Sequence, residues 1–276
     1  MELTDRVVIV TGGGSGIGAA MCRRFAAETP RTIVVADLDG DAATAVADQV
    51  RVHAAGSVSV VARAIDVADE AQVGALVAET HLEHGAVDLY CSNAGIATGM
   101  GVEAPDETWE RIWHVNLMAH VYAARALLGT WLAGGEGHLL VTASAAGLLT
   151  SLGDAPYSVT KHAAVALAEW LSVTYGDRGL HVACLCPQGV RTPLLFGAGA
   201  AGDSGDADSA LAAEVVKAQG VIEPEEVADA VIVGLADERF LILPHPEVTD
   251  YERARAGDRE RWLGAMRRLQ ARITGG

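Results

Sequence analysis

Cysteine is scarce in this chain of 276 residues: Cys22, Cys91, Cys184 and Cys186 are the only four, and no two form a C-x-x-C pair. A disulfide framework and a cysteine metal site are thereby excluded, and buried thiols are expected instead. Cys184 and Cys186, two apart in an apolar run, would share one face of a strand. The nine histidines are scattered, and His81 and His84 do not make H-E-x-x-H, so no bound metal is expected. Basic residues are also short: 20 Lys+Arg stand against 36 Asp+Glu, a net charge of −16. That balance argues against nucleic acid as a partner, because phosphates need cations. It argues equally against docking on an anionic membrane. No run approaches the ~18 apolar residues of a membrane span. The first residues lack the basic-then-apolar pattern of a secretory leader, and a cytoplasmic protein is expected. Half the residues are hydrophobic and a fifth are charged, which excludes a largely disordered or collagen-like chain.

What is present is alternation. Apolar strand-like runs over 6–10, 32–37, 58–64, 87–92, 138–142, 181–186 and 240–243 are separated by helical patterns over 16–28, 41–53, 69–83, 106–132, 156–175 and 224–236. Several runs are apolar on both faces, which predicts a parallel sheet covered on two sides. The expected fold is therefore α/β: a single-domain, doubly wound, Rossmann-type sheet of seven parallel strands with helices on both faces. The catalytic domain is expected over 1–245. It includes a substrate lid at about 193–218, because 197–213 is rich in Gly, Ala, Asp and Ser. The remainder, 246–276, holds 7 of the 20 basic residues and repeats Trp262, Met266, Leu269 and Ile273 at helical spacing. It reads as a basic amphipathic helix packed on its own subunit, with a neighbouring subunit as the alternative.

The first strand runs into Thr11-Gly12-Gly13-Gly14-Ser15-Gly16-Ile17-Gly18 and then a helix. Glycines permit the tight turn, and the helix start offers free N–H groups and a positive dipole end to a pyrophosphate. Asp37 ends the second strand 19 residues after Gly18. A carboxylate there accepts both adenosine ribose hydroxyls and repels a 2′-phosphate. Leu38 follows it, and no Arg or Lys lies in the loop, so NAD is the expected cofactor and NADP the alternative. The missing loop lysine also excludes a nucleotide-hydrolysing P-loop.

Tyr157 and Lys161 lie four apart in a predicted helix and share a face, with Ser144 just beyond a strand. Together they can form an acid–base site. Bringing a tyrosine from about 10 to neutrality takes roughly 4 kcal/mol of differential stabilisation, which nearby positive charge can supply. Tyr157 could then take a proton from an alcohol as hydride leaves its carbon, while Ser144 holds the same oxygen.

In these motifs the chain resembles the short-chain dehydrogenase/reductase family. The matching pieces are Thr11-Gly-x-x-x-Gly16-x-Gly18, Asp66-Val67, Asn93-Ala94-Gly95, Asn116, Ser144, Tyr157-x-x-x-Lys161 and Pro187-x-Gly189-x-x-Thr192, in the family's order over residues 4–192. The resemblance implies an NAD-dependent oxidoreductase acting on CH–OH groups. Tyr157 would be the acid/base, Lys161 would bind the nicotinamide ribose and lower the Tyr157 pKa, and Ser144 would orient substrate. Asn116 would hold a proton-relay water. Gly12, Ser15, Gly16, Ile17, Gly18, Asp37, Leu38, Asp66, Val67, Asn93, Ala94, Gly95, Val190 and Thr192 would join Tyr157 and Lys161 around the cofactor. A homodimer built on the helices of Asn116 and Tyr157, or a homotetramer, is implied; Trp109, Trp113 and Tyr122 suit either that interface or the core. Two departures stand out. Gln188 occupies the usual glycine position after Pro187, and the last strand leads to the basic tail rather than a Gly-Gly turn. A catalytically silent nucleotide-binding protein of the same fold is the competing reading, opposed by the intact Ser144, Tyr157 and Lys161.

Substrate is expected to meet Ser144, Leu148, Leu149, Tyr157, Gln188, Leu194, Leu195 and Phe196. These stretches are apolar, with Arg191 as their cation, so the expected partner is a small apolar secondary alcohol or ketone.

Overall fold

Strict alternation of buried side chains builds one sheet and decides what covers each face. In β1 (Val7–Thr11) every residue is buried: Ile9 points into one apolar layer, Val8 and Val10 into the other. The same alternation runs through β2 (Thr32–Asp37), β4 (Leu89–Ser92), β5 (Gly137–Thr142) and β6 (Leu180–Leu185). Each buried Val, Ile or Leu contributes roughly 1.5–3 kcal/mol against leaving it exposed. With β3 (Ser59–Ala64) and β7 (Leu241–Ile242) these strands form a seven-stranded parallel sheet in the order β3-β2-β1-β4-β5-β6-β7. The computed structural model describes residues 1–54, 56, 58–196 and 220–274.

Helices α1 (Gly16–Ala26) and α2 (Gly40–His53) cover one face. Helices α3 (Glu70–His84), α5 (Ala119–Gly134) and α7 (Ala155–Tyr175) cover the other. The long helix read over 106–132 is interrupted: α4 (Asp106–Trp113) and α5 are joined by a π-helical turn, His114–Met118, that carries Asn116. Tyr122 is core, whereas Trp113 is 39% exposed. Four short elements are absent from the sequence reading. They are α6 (Ala145–Leu148), α8 (Pro193–Phe196), and the segments Gly189–Val190 and Val221–Ile222, which pair outside the main sheet. Helix α9 (Pro224–Ala236) packs beside α1.

The tail is two helices, α10 (Val248–Gly257) and α11 (Arg259–Thr274), hinged at Asp258, whose carboxylate accepts the Arg261 N–H (2.9 Å). Val248 is fully buried in the core, and Trp262 packs against it. Most of the expected lid, 197–218, lies outside the described residues. No described helix is long and apolar enough to cross a membrane.

Candidate active site

Strand order reverses at β1, which pairs with β2 on one side and β4 on the other. The carboxyl ends of the strands diverge there and leave a crevice. The glycine loop fills its floor. Gly12 adopts φ +63°, and a Cβ on Gly18 would sit 2.0 Å from the Gly12 carbonyl oxygen, so α1 abuts the loop only without a side chain. Ser15 precedes α1 without a side-chain cap, and no acidic residue occupies the first turn. The helix start thus keeps unpaired backbone donors and its positive dipole end. These donors fit a pyrophosphate. Asp37 holds the loop by accepting from the Gly14 N–H (2.9 Å) and from Asp39 N–H (3.0 Å). One lone pair on each of its oxygens remains for a diol. Leu38 stands beside it, 64% exposed.

The wall beyond is braced by hydrogen bonds. Thr11 Oγ1 accepts from the Asn93 and Ala94 N–H groups, while the Asn93 amide donates to Thr11 C=O (3.0 Å) and accepts from Thr142 Oγ1 (3.1 Å). Asp66 pairs with Arg111 at 3.0 Å. Burial opposes its charge, but the Ala68 N–H and the guanidinium outweigh burial and hold its carboxyl below the usual range.

Asp154 caps α7 and fixes the opposite rim. It is 3% exposed and accepts from Tyr157 N–H (2.9 Å), Thr98 N–H, Thr98 Oγ1 and Gly99 N–H (each 2.8 Å). One turn on, Tyr157 faces the crevice, with Ser144 also in the cleft lining. Desolvation pushes its phenol up to about 12; Ser144 pulls down, and Asp154 and Cys186 push up. Lys161 is buried, and its ammonium donates to Thr142 C=O (2.8 Å), 5.7 Å from the Tyr157 ring centre. Burial lowers it to about 8, against the raising effect of Cys186 and Cys184.

Asn116 is fully buried behind the wall. Its amide exchanges two 2.9 Å hydrogen bonds with the Ile96 backbone and reaches Thr160 Oγ1 at 3.3 Å. A π turn exposes such a side chain to a new set of partners. Beside it the buried imidazole of His120 is bonded through Nδ1 to Ser92 Oγ (2.6 Å).

The floor, wall and rim enclose one cleft of about 770 Å³ among the described residues. Nearly every sequence-derived residue lines it, from Gly12 and Asp37 to Ser144, Leu149, Tyr157, Lys161, Gln188, Val190, Thr192, Leu194 and Leu195. Two expectations are corrected. Leu148 turns into the core beside α7, 6% exposed, because α6 directs it inward. Phe196 lies against the Arg191 guanidinium (5.5 Å), outside the cleft lining. Arg191 itself pairs with Glu223 at 2.7 Å. Gln188 is fastened by its N–H to His245 Nδ1 (3.1 Å), a buried histidine.

The sequence reading missed the cleft's other wall. Tyr251, Trp262, Ala265, Met266, Leu269 and Arg272 of α10 and α11 line it. The apolar spacing of 262, 266 and 269 was visible, but not what it faced.

Such a nucleotide crevice with a Tyr–Lys pair one helical turn apart defines a class of nicotinamide-dependent oxidoreductases. A family model for short chain dehydrogenase matches residues 6–200, and the chain belongs to this family. The chain is 33% identical over 251 residues to 1-deoxy-11-beta-hydroxypentalenate dehydrogenase of Streptomyces exfoliatus, covering 90% of this chain and 86% of the relative. It is similar in structure to a short chain dehydrogenase/reductase from Burkholderia phymatum in complex with NAD: TM-score 0.84, 28% identity, 94% of this chain and 96% of the other. A short-chain dehydrogenase from Sphingobium yanoikuyae in complex with NADPH gives TM-score 0.77 at 26% identity, with 94% and 95% covered. The protein is an oxidoreductase acting on hydroxyl or ketone groups with a nicotinamide cofactor.

Proposed function

We propose that this oxidoreductase uses NAD and exchanges a hydride with an apolar secondary alcohol or its ketone. The observation that carries the reading is one cleft shared by Asp37 at the ribose end and by Ser144, Tyr157 and Lys161 at the other. The Asp37 carboxylate, with Leu38 beside it, repels a 2′-phosphate and accepts a 2′-hydroxyl. Gly12, Ser15, Gly16 and Ile17 would hold the pyrophosphate, with Gly18 allowing the close approach. Asp66 and Val67 would meet the adenine, Asn93 to Gly95 the adenosine side, and Val190 and Thr192 the nicotinamide end. A nicotinamide held by these residues would supply the hydride acceptor for the alcohol carbon, or the hydride donor when reduced.

The chain's own residues manage the proton. Tyr157 as the neutral phenol can give its proton to a forming alkoxide. In the oxidative direction it must first lose that proton, and the Lys161 ammonium favours the phenolate. Ser144 donates to the substrate oxygen and fixes it beside the phenol. Asn116 positions the Ile96 loop against Lys161: an added Cβ on Gly95 would lie 3.4 Å from both Asn116 Oδ1 and Lys161 Nζ. By the family resemblance, Asn116 would hold the water that relays protons from Lys161. Leu149, Gln188, Leu194 and Leu195 supply the substrate's apolar walls.

The test is nicotinamide absorbance with NAD or NADP and a panel of apolar secondary alcohols. The expected outcome is reduction of NAD at least tenfold faster than NADP. Tyr157→Phe should cut turnover about 10²–10⁴-fold, the range of general acid–base catalysis, while NAD still binds. Unchanged turnover in Tyr157→Phe removes Tyr157 from the role.

We further infer a dimer through α4–α5 and α7. The outer face of α7 leaves Val159 (46%), Trp170 (56%) and Val173 (88%) exposed, an apolar stripe rare on a monomer.

A further inference from the structure

Every charged residue that lines the cleft is held by an ion pair or by hydrogen bonds, except at one position. Its described lining holds three acids and three strong bases. Asp66 is paired with Arg111, Asp37 and Asp154 are held by N–H and O–H donors, and Lys161 is buried against the Thr142 carbonyl. Arg272 has no carboxylate partner among the described residues. It sits at the far end of the α11 face formed by Trp262, Ala265, Met266 and Leu269, about 15 Å along the axis from Trp262 at 1.5 Å per residue. Basic residues in a last turn suit the helix dipole wherever they point. Arg267, Arg268 and Arg272 are all exposed, but of the three Arg272 alone also lines the cleft.

We propose that Arg272 reads a carboxylate on the substrate, so the preferred class is a hydroxy or oxo acid with an apolar body between its two polar ends. The body would lie under the apolar face of α11, and the planar guanidinium would take the carboxylate in a charge-assisted, bidentate contact. The proposal rests on the apolar-alcohol reading above and adds the anionic end. Cofactor phosphate is the other anion available to this cleft, but the start of α1 already provides donors for it.

The experiment uses NAD-loaded full-length protein and matched pairs: hydroxylated cyclohexane-, decalin- and steroid-carboxylic acids, each with its methyl ester. KM and kcat are measured, and binding is followed by tryptophan fluorescence. The expected result is a KM for at least one acid about tenfold below that of its ester, the effect of one charge-assisted contact in a partly solvated site. Arg272→Gln should raise the acid's KM to the ester's, and Arg272→Lys should keep part of the preference. Arg268→Gln, on the solvent face, should keep all of it. Equal KM values for acid and ester in the wild-type protein overturn the proposal. So does an Arg272→Gln effect that falls on the ester equally, or on the KM for NAD, which would assign Arg272 to the cofactor. Turnover of neutral alcohols with none of the acids also overturns it and leaves the apolar-alcohol reading standing. If no alcohol reacts, that reading itself fails, and the proposal fails with it.

Discussion

Lys161 is one of two lysines in the chain, and its burial has a cost that can be read in solution. Its pKa falls from 10.5 to about 8 on folding, chiefly by desolvation. Below about pH 8 both folded and unfolded chains carry the proton, and the full penalty, about 3 kcal/mol, weighs on the folded state. Between about pH 8 and 10.5 the unfolded chain holds a proton that the folded one has shed, so stability should rise with pH. Urea unfolding of wild type and Lys161→Met at pH 7.5 and 9.5 checks this: the wild type should gain relative to the variant. A constant difference would mean that the ammonium stays charged when folded. Asp37 offers a second check. Asp37→Ala removes the repulsion of a 2′-phosphate and the acceptor for the 2′-hydroxyl together, so the ratio of kcat/KM for NAD over NADP should fall by at least about tenfold. That these residues meet in one cleft was legible because each proposed chemical demand leaves a narrow choice: glycine at positive φ, a carboxylate at a strand end, Tyr and Lys one turn apart. Leu148 and Phe196 were misread because an apolar side chain on a short helix gives no hint of which way that helix faces.

Elements were legible wherever periodicity ran long. All seven strands were visible because each apolar run is too short for a helix and is followed by turn residues, and the ends moved by only a residue or two. The π turn was invisible, since nothing in His114–Met118 departs from a helical pattern; tertiary demand from the Ile96 backbone creates it. The tail's break was hidden for the same reason, and its packing against the cleft depends on Val248 and Trp262 meeting a distant core. Asp154 shows how one residue can tie two elements. It caps α7 and holds the Thr98–Gly99 loop through four hydrogen bonds at 2.8–2.9 Å. Replacing it by Ala strands three backbone N–H groups and a hydroxyl near the core. The expected loss is about 3–5 kcal/mol, or roughly 6 °C or more in Tm for a chain of this size. Thermal unfolding by circular dichroism measures it. A loss below 1 kcal/mol would show that water or a shifted loop replaces the carboxylate.

At the scale of the whole molecule, charge and apolar surface pull against each other. Two copies each carrying −16 repel, and that repulsion is long-ranged at low salt and screened beyond about 8 Å at 0.15 M. The stripe of Val159, Trp170 and Val173 is apolar, so its burial is nearly indifferent to salt. A dimer built on α7 should therefore tighten as salt is raised, the reverse of an interface held by ion pairs. Periodicity alone could not show this stripe as a surface, because a helix that is apolar on both sides looks the same whether its second side meets a sheet or another copy. Val173→Asp tests the geometry. Val173 is the most exposed of the three, on the side of α7 away from the buried Ala164 and Ala168, so the change should leave the fold intact while placing two carboxylates into the seam. Light scattering should fall from the mass of two chains to that of one, near 28.6 kDa, with an unchanged far-ultraviolet circular dichroism spectrum. An unchanged mass would move the interface elsewhere. A mass already that of one chain in the wild type at high salt would leave the α7 stripe without a second copy to cover it.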